Sequence, residues 1–283
     1  MKKILVLGSA GMAGHMVYSY LSETKKYQIF GTTNSNAFGE NSIKMDIFDP
    51  NGVTEIINEV APTIIINCIG MLIRSSKDHP DQTIYGNSYF PHFLKKIANK
   101  NNAKLIHLST DCVFSGTEGG YTEKSFKNAT DLYGQSKALG EIVDEINLTI
   151  RTSIIGPEIK ENGEGLFHWF MKQRGEINGY KSNMWSGVTT LELAKFIDWA
   201  VEKEITGLVH LTNNTPISKF DLLKAFNEVF RKNLTINSDK DYVCDKSFIN
   251  TNENIDFLVP SYFDMLREQK EFMEKHPALY NYL

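Results

Sequence analysis

Three side chains in the first half of the chain have the types and spacing needed to protonate a carbonyl oxygen. Thr110 lies in a Ser-Thr-Asp segment that ends an apolar run, and Tyr133 and Lys137 are four residues apart in Tyr-Gly-Gln-Ser-Lys. On a helix, that spacing puts the last two on one face. The charge of Lys137 is expected to lower the pKa of the Tyr133 phenol from about 10 toward neutrality. The pattern predicts these three as catalytic residues, with Tyr133 protonating an oxygen that Thr110 holds.

The Tyr-x-x-x-Lys spacing is not diagnostic by itself. Tyr242 and Lys246 repeat it in a polar late segment with no hydroxyl-bearing strand before it. By spacing alone, Tyr133 would be a surface helix residue beside a solvated lysine. The order of strand, Ser-Thr-Asp, loop and Tyr133-x-x-x-Lys137, behind a glycine-rich turn, favours the catalytic interpretation.

That glycine-rich turn lies at the start of the chain. Gly8-Ser-Ala-Gly11-Met12-Ala-Gly14 directly follows a predicted strand and opens a predicted helix. Glycines in such a turn let the backbone approach a pyrophosphate, and the helix N-terminus favours its negative charge. Gly8, Gly11, Met12 and Gly14 are therefore predicted to bind a nicotinamide dinucleotide. The alternative is a strand-helix turn without a ligand.

The end of the second predicted strand indicates which dinucleotide binds. An NAD site usually has an acidic residue about 20 residues after the turn, but here the chain reads Gly31-Thr32-Thr33-Asn34-Ser35-Asn36. A carboxylate would repel the extra phosphate of NADP, whereas hydroxyls and amides donate hydrogen bonds to it. The segment predicts NADPH, with Thr32 among the contacts and NADH as the alternative cofactor.

Composition restricts the classes of function. The 283 residues can form one large α/β domain or a domain with a smaller lobe. A net charge of −4 without a basic run argues against nucleic acid as a partner. No apolar run approaches the ~20 residues of a membrane helix. The three cysteines are widely separated and the histidines lack metal-binding spacing. We expect a cytoplasmic protein with no metal and no membrane partner.

Periodicity predicts an α/β fold, a Rossmann-type doubly wound parallel sheet with a smaller C-terminal substrate-binding lobe. Residues 1–155 form the predicted dinucleotide-binding domain, to which 184–211 return through a strand at Leu208–Leu211. Residues 156–183 and 212–283 form the predicted lobe. Within it, Ser218 is a good N-cap for a helix, and the chain beyond that helix is predicted to be polar and less regular.

Together these segments resemble an extended short-chain dehydrogenase/reductase, and most closely the dTDP-4-dehydrorhamnose reductase group of sugar-nucleotide reductases. The likeness covers roughly residues 1–155. Besides the glycine turn, it rests on Met45-Asp46-Ile47, Asn67-Cys-Ile-Gly70, Asn87 before Pro91, His107 to Gly116, Tyr133 to Glu141 and Arg151-Thr152-Ser153. It implies catalytic positions at Thr110, Tyr133 and Lys137, and cofactor contacts at Asp46, Ile47, Asn67, Gly70 and Lys137.

The substrate side is less well specified. Asn87 either lies near the reacting groups or is a buried amide that closes a helix. Thr152, Trp185 and Thr189 can face a sugar or base, or can pack in the core. Arg74 can pair with a substrate diphosphate or be a solvated loop residue. Asn87, Thr152 and Trp185 are the predicted substrate-binding residues.

The resemblance implies a function. Related dehydratases have Thr-Asp-Glu where this chain has Thr110-Asp111-Cys112, so dehydration is disfavoured. The implied reaction is NADPH-dependent reduction of the C4 ketone of a nucleotide-diphosphate-linked 4-keto-6-deoxyhexose, in nucleotide-sugar and surface polysaccharide biosynthesis, by a monomer or homodimer. The alternatives are a sugar-nucleotide 4-epimerase with tightly bound NAD and an NADP-binding regulatory subunit.

Overall fold

The computed structural model describes residues 1–280 and 282. Its strands are β1 (Lys2–Leu7), β2 (Tyr27–Thr33), β3 (Ser42–Lys44), β4 (Ile64–Asn67), β5 (Lys104–Ser109), β6 (Leu148–Arg151), β7 (Ile154–Ile155), β8 (Glu176–Tyr180), β9 (Asn183–Trp185), β10 (Val188–Thr189), β11 (Gly207–His210), β12 (Ile217–Ser218), β13 (Thr235–Asp239) and β14 (Cys244–Asp245).

The helices are α1 (Met12–Thr24), α2 (Pro50–Val60), α3 (Ile73–Asp78), α4 (Pro80–Ile84), α5 (Phe90–Lys100), α6 (Leu132–Leu139), α7 (Leu166–Lys172), α8 (Thr190–Glu202), α9 (Lys219–Phe230) and α10 (Tyr262–Lys275). A π-helical turn, Tyr85–Tyr89, precedes α5, and a 3-10 turn, Asp111–Val113, follows β5.

A parallel seven-stranded sheet in the order β11-β6-β5-β4-β1-β2-β3 forms the centre of the molecule. The buried apolar runs of β1, β4, β5 and β6 form its middle, because a strand covered on both faces has no solvated side to keep polar. The strand order reverses between β1 and β4, and a ligand crevice is expected above their carboxyl ends. The predicted α/β fold class is confirmed. The strand predicted near Leu208 joins the sheet, with Gly207 paired to Leu148.

Alternate residues of β1 enter two different cores. Ile4 and Val6 pack with α1 and α8, whereas Leu5 and Leu7 pack with α2 and α5. This alternation follows from the strand period of two, which sends successive side chains to opposite faces. The sheet is therefore covered by helices on both sides, as predicted.

The remaining strands form three small sheets, β7 with β10, β8 with β13, and β9 between β12 and β14. Ser218 caps α9 as predicted, its Oγ accepting a hydrogen bond from the Asp221 amide at 3.0 Å. The division of the chain into a dinucleotide domain and a substrate lobe stays a prediction. No helix within 1–280 has the length and apolar character required to cross a membrane.

The late segment is more regular than predicted, because α10 occupies fourteen residues of it. Ser261 caps this helix, accepting from the Asp264 amide at 3.2 Å. Met265, Leu266 and Phe272 are buried at helical spacing against the main core. The Ser-x-x-Asp sequence and this spacing were the available signals. Pro91 lies in the first turn of α5, which follows the π-helical turn without a break.

Candidate active site

Thr110 lies where the chain leaves the sheet, directly after β5. It is the N-cap of the 3-10 turn, and its Oγ1 accepts a hydrogen bond from the Cys112 amide at 3.2 Å and donates to Asp111 Oδ1 at 2.9 Å. These contacts fix the hydroxyl at the carboxyl edge of the sheet, which is where ligands bind in open α/β folds.

Helix α6 packs directly on that turn. Gly134 makes the contact possible, since a Cβ there would lie 2.1 Å from the backbone oxygen of Cys112. The close approach brings the Tyr133 phenol within hydrogen-bonding influence of Thr110. One turn further on, Lys137 is buried and its Nζ donates to the Leu108 carbonyl at 2.6 Å. The structure thus brings together the three predicted catalytic side chains at the end of β5.

The pKa of the Tyr133 phenol is raised, contrary to our expectation. Burial and the neighbouring Cys112 favour the neutral phenol and outweigh the hydrogen bond from Thr110, which favours the phenolate. Burial likewise lowers the pKa of Lys137 to about 8, although Glu141 and Cys68 favour its charged form. The expectation was wrong because it counted the charge of Lys137 and neglected desolvation. A neutral phenol is a proton donor, as carbonyl reduction requires.

The glycine turn forms a cradle with no room for side chains. Gly8 has φ +75°, and a Cβ on Gly14 would lie 2.1 Å from the Gly8 oxygen. Gly11 is the N-cap of α1 and has no side chain to bond the first-turn amides. Those amides and the helix dipole therefore face the crevice, and the donor set fits a pyrophosphate. Met12 starts this helix and lies close to Gly165 of the later half.

Thr32 supports the glycine turn from behind. It is buried, its hydroxyl accepts from the Gly8 amide at 3.3 Å, and its carbonyl accepts from the Ser9 amide at 2.9 Å. The exposed polar groups at this end of β2 belong to Asn34, Ser35 and Asn36. The hydrogen-bond donors anticipated for the extra phosphate of NADP are thus the three residues after Thr33.

The other predicted cofactor residues lie along the same edge. Asp46 is exposed and accepts from the Phe48 amide at 2.9 Å, while Ile47 is buried beneath it. Asn67 is buried, with Oδ1 accepting from the Ile69 amide at 3.1 Å and its amide nitrogen 3.1 Å from His107 Nδ1. Gly70 follows at the exposed end of this segment.

The β4 end connects the cofactor cradle to the catalytic residues. A Cβ on Gly8 would meet Ile69 Cγ1 at 2.9 Å. The adjacent Cys68 is close enough to Lys137 to raise the pKa of that lysine against the stronger effect of burial. The glycine turn, the β4 end and α6 therefore border one crevice.

Asn87 is a positioning residue rather than an open contact. Its Oδ1 accepts from the Met71 amide at 2.8 Å, and its Nδ2 donates to the Met71 oxygen at 2.9 Å and to Ser136 Oγ at 3.1 Å. The fully buried amide thus ties the segment after β4 to α6. Of the two interpretations of Asn87, the geometry favours the buried amide.

The other candidate substrate-binding residues make hydrogen bonds or ion pairs within the protein. Thr152 donates to the Leu211 oxygen at 2.9 Å, and buried Trp185 donates through Nε1 to Ser153 Oγ at 2.7 Å. Thr189 caps α8. Arg74 is exposed and lies 3.7 Å from Asp78. The polar groups of Thr152 and Trp185 are therefore engaged by hydrogen bonds within the protein, whereas Arg74 is solvated.

A buried ionic network behind the site was missed by sequence reasoning. Glu141 accepts from Ser109 Oγ at 2.6 Å and pairs with Arg151 through two bonds of 2.8 and 2.7 Å. Arg151 Nη1 in turn donates to His210 Nε2 at 2.7 Å. The network joins β5, the segment directly after α6, β6 and β11, and it fixes the end of β5 relative to these segments. A charged residue one helical turn after Lys137 was the available signal.

Two lysines from the later half, Lys219 and Lys246, also approach the catalytic turn, and no sequence motif announced them. Burial lowers the pKa of Lys219 to about 8, although the nearby Asp111 favours its charged form. Burial also acts on Lys246, but the surrounding groups, Asp111 among them, outweigh it and raise the pKa of that lysine. Among residues 1–280, no group of three or more histidine, cysteine, aspartate or glutamate side chains is arranged to hold a metal ion.

Comparisons with known proteins agree with this geometry. A model of the RmlD substrate binding domain family matches residues 1–241. The chain is 25% identical over 238 residues to a dTDP-4-dehydrorhamnose reductase from Aggregatibacter actinomycetemcomitans, covering 80% of this chain and 78% of that protein. It is also 25% identical over 245 residues to methionine adenosyltransferase 2 subunit beta from Bos taurus, covering 81% and 72%.

The fold is shared with solved structures. A dTDP-4-dehydrorhamnose reductase from Bacillus anthracis in complex with NADP superposes with a TM-score of 0.82 at 21% identity, covering 97% of this chain and 99% of that one. A UDP-glucose 4-epimerase from Thermotoga maritima superposes with a TM-score of 0.79 at 16% identity, covering 97% and 99%. At these identities, the likeness concerns the fold alone.

Proposed function

Because the chain belongs to the RmlD substrate binding domain family, we propose that it reduces the C4 ketone of a nucleotide-diphosphate-linked 4-keto-6-deoxyhexose with NADPH. The observation that carries the proposal is the meeting of Thr110, Tyr133 and Lys137 beside the glycine cradle. The Aggregatibacter relative is named as a reductase of this substrate class. The proposed setting is the cytoplasmic supply of nucleotide sugars for a surface polysaccharide.

The cofactor is held by the edge of the sheet. The turn from Gly8 to Gly14 and the first-turn amides of α1 would hold the pyrophosphate, Asp46 and Ile47 would contact the adenine side, and Gly70 would contact the nicotinamide half. Asn34, Ser35 and Asn36 offer donors to the 2′-phosphate, and no carboxylate lies among them to repel it. When bound, the dinucleotide supplies a hydride to the carbonyl carbon.

The protein supplies the proton and holds the carbonyl. Thr110 donates a hydrogen bond to the ketone oxygen in place of its bond to Asp111, which fixes the oxygen and stabilises its developing charge. Tyr133 then transfers its phenolic proton to that oxygen. Because burial keeps this phenol protonated, the acid is ready at neutral pH.

Lys137 supports the proton transfer. Its ammonium group is buried one helical turn from Tyr133 and is anchored on the Leu108 carbonyl at 2.6 Å. Once the phenol has lost its proton, the nearby cation stabilises the phenolate. With a pKa of about 8, this lysine is mostly charged at neutral pH and can also donate to the nicotinamide ribose.

A screen of substrates tests the proposal. UDP-, dTDP- and GDP-linked 4-keto-6-deoxy sugars are each mixed with the protein and NADPH or NADH, and the loss of reduced-cofactor absorbance is followed. Oxidation of NADPH with at least one of these sugars is expected. Purified protein that carries tightly held NAD and interconverts C4 epimers would instead be an epimerase. Binding of NADP without turnover of any sugar would favour a regulatory subunit, the alternative to which the methionine adenosyltransferase 2 subunit beta relatives point.

A further inference from the structure

Lys219 and Lys246 are half-buried cations without counter-ions. In the part of the chain that the structure describes, neither ammonium group has an ion-pair or hydrogen-bond partner. The face of the Trp185 ring lies 4.9 Å from Lys219 Nζ and holds it in place. Withdrawing a positive charge from water without a partner is unfavourable, so the arrangement is poised for an anion.

The small sheet around β9 brings the two lysines together. Ser218 of β12 and Asp245 of β14 both pair with Met184, from opposite sides of β9. Lys219 and Lys246 are the next residues after these two strands. Because β12 runs antiparallel and β14 parallel to β9, this register continues with Lys219 opposite Asn183 and Lys246 opposite Trp185. Asn183 and Trp185 lie on one face of β9, so both lysines leave the sheet on that face, one on each side of β9.

The β14 edge of this sheet lies against the segment that follows the catalytic turn. The Asp245 amide donates to the Gly116 oxygen at 2.8 Å, and a Cβ on Gly116 would lie 2.9 Å from Lys246 Cγ. Gly116 is only three residues beyond the 3-10 turn that Thr110 caps. Burial acts to lower the pKa of both lysines, and the nearby Asp111 opposes that effect in each, which places both ammonium groups within electrostatic reach of the catalytic turn.

We propose that Lys219 and Lys246 form a cationic clamp that binds the diphosphate of the nucleotide-sugar substrate and positions its sugar ketone at Thr110 and Tyr133. This inference rests on the proposed function, since it identifies the residues that recognise the charged part of that substrate. Within the described residues Asp111 makes no ion pair with either lysine, and its Oδ1 accepts from Thr110. Arg74, the earlier candidate for this role, is exposed and lies near Asp78.

The test measures nucleotide binding without turnover. Affinities of dTDP, UDP and GDP for the NADPH-loaded protein are measured by calorimetry, with the matching nucleosides alongside. In Lys219→Met and Lys246→Met, the affinity for the preferred diphosphate is expected to fall by about tenfold or more each, the usual effect of losing a hydrogen bond to a charged group. Nucleoside and NADPH affinities are expected to stay within about twofold of the wild type.

Matched variants separate charge from packing. Lys219→Arg keeps the charge beside Trp185 and is expected to retain most of the diphosphate affinity. Lys224→Met removes an exposed lysine of the same helix, at 5.5 Å from the Phe220 ring, and is expected to bind like the wild type. Circular dichroism and the NADPH affinity confirm that each variant is folded.

The outcomes distinguish the clamp from the proposed function. The clamp is refuted if wild-type protein binds none of the three diphosphates, or if the methionine variants bind them as tightly as wild type does. Equal weakening of NADPH and diphosphate binding would also refute it, because the lysines would then serve the cofactor. If the protein reduces a keto sugar but its lysine variants keep their diphosphate affinity, the proposed reductase activity is supported and the clamp is refuted. If diphosphate binding depends on the two lysine charges but no keto sugar is reduced, the clamp is supported and the proposed reductase activity is refuted.

Discussion

The two sides of the crevice are assembled in different ways. On the cofactor side, residues 8 to 14 are consecutive, and the turn they form is held by one neighbouring strand through Thr32. On the opposite side, Trp185, Lys219 and Lys246 come from three strands or strand ends that the small sheet brings together. A pyrophosphate cradle is local, whereas the cationic surface facing Thr110 exists only after the chain has folded.

The difference is visible in where the structure places the predicted substrate-binding residues. Trp185 was predicted to stack on a ligand. In the structure it is buried, and its ring packs against the ammonium group of Lys219. A sequence motif arises where the local backbone requires particular residues, as the glycine turn requires residues without a side chain. The residues next to Lys219 or Lys246 in the sequence do not indicate which side chains surround these lysines in the folded protein.

The largest effect on kcat is expected from a substitution that removes the proton donor and leaves both sides of the crevice unchanged. Tyr133→Phe deletes the phenolic proton while keeping the ring, so kcat is predicted to fall by about 10²–10⁴-fold. NADPH and nucleotide affinities are predicted to remain within about twofold of the wild type, because neither binding surface has changed. Stopped-flow absorbance and equilibrium titration measure the two quantities.

Tyr242→Phe is the matched control for this substitution. Tyr242 repeats the spacing to a lysine four residues on, but it is exposed and lies outside any helix. Its loss is expected to leave kcat unchanged. A Tyr133→Phe enzyme with wild-type turnover would contradict the assignment of the proton donor.

An intermediate effect is expected at the two junctions between the cofactor side and the later half. His15 on α1 donates to the Gly11 oxygen and accepts from Tyr280, and His210 accepts from Arg151 and donates to the Ile249 oxygen. Burial lowers the pKa of each to about 4, and for His210 the adjacent Arg151 lowers it further.

These histidines bind protons more readily in the unfolded chain, where their pKa is about 6.5. Their contribution to stability is therefore present above pH 6.5 and is lost as the pH falls toward 4. The predicted loss is on the order of 3 kcal/mol for each histidine across that range. Urea unfolding at a series of pH values measures it, provided that the transition is two-state.

Asparagine variants test this prediction, because an amide can donate and accept but does not titrate. His15→Asn and His210→Asn should each flatten the decline in unfolding free energy between pH 6.5 and 4. His79→Asn, at an exposed position, should leave the slope as it is. An unchanged slope in both buried variants would show that other groups cause the decline.

The smallest effect concerns the cofactor side alone. Asn34→Asp adds an exposed carboxylate just after β2, where it would repel the 2′-phosphate of NADPH. The affinity ratio of NADPH to NADH is predicted to fall by up to about fivefold, since the interaction is exposed to solvent. Fluorescence titration at low and moderate salt measures this ratio, and the effect should weaken with salt.

Gln28→Glu adds the same charge to an exposed position earlier on the same strand and should leave the ratio unchanged. Diphosphate affinity should be unaffected in both variants, because the cationic clamp lies on the other side of the crevice. If Asn34→Asp does not change the cofactor ratio, the extra phosphate does not bind beside residue 34.

The fold could be predicted from the sequence to a large extent. The doubly wound parallel sheet was predicted, and β11 lies within one residue of the strand predicted at Leu208–Leu211. Helix α10 was missed although its cap and apolar spacing were present. The expected effect of Lys137 on Tyr133 was wrong, because desolvation depends on how tightly α6 packs against the 3-10 turn and that packing was not known.

The sequence by itself determined the parallel sheet, the glycine cradle and the identity of the groups that could exchange a proton with a ketone. Each depends on neighbours within about one turn or one strand, so short-range pattern is sufficient. Only the tertiary structure decided that Asn87, Thr152 and Trp185 make hydrogen bonds within the protein, that burial favours the protonated Tyr133 phenol, and that two distant lysines approach the 3-10 turn beside it. The burial of a side chain and the charges near it depend on every segment that packs around it. A short stretch of sequence does not contain that information.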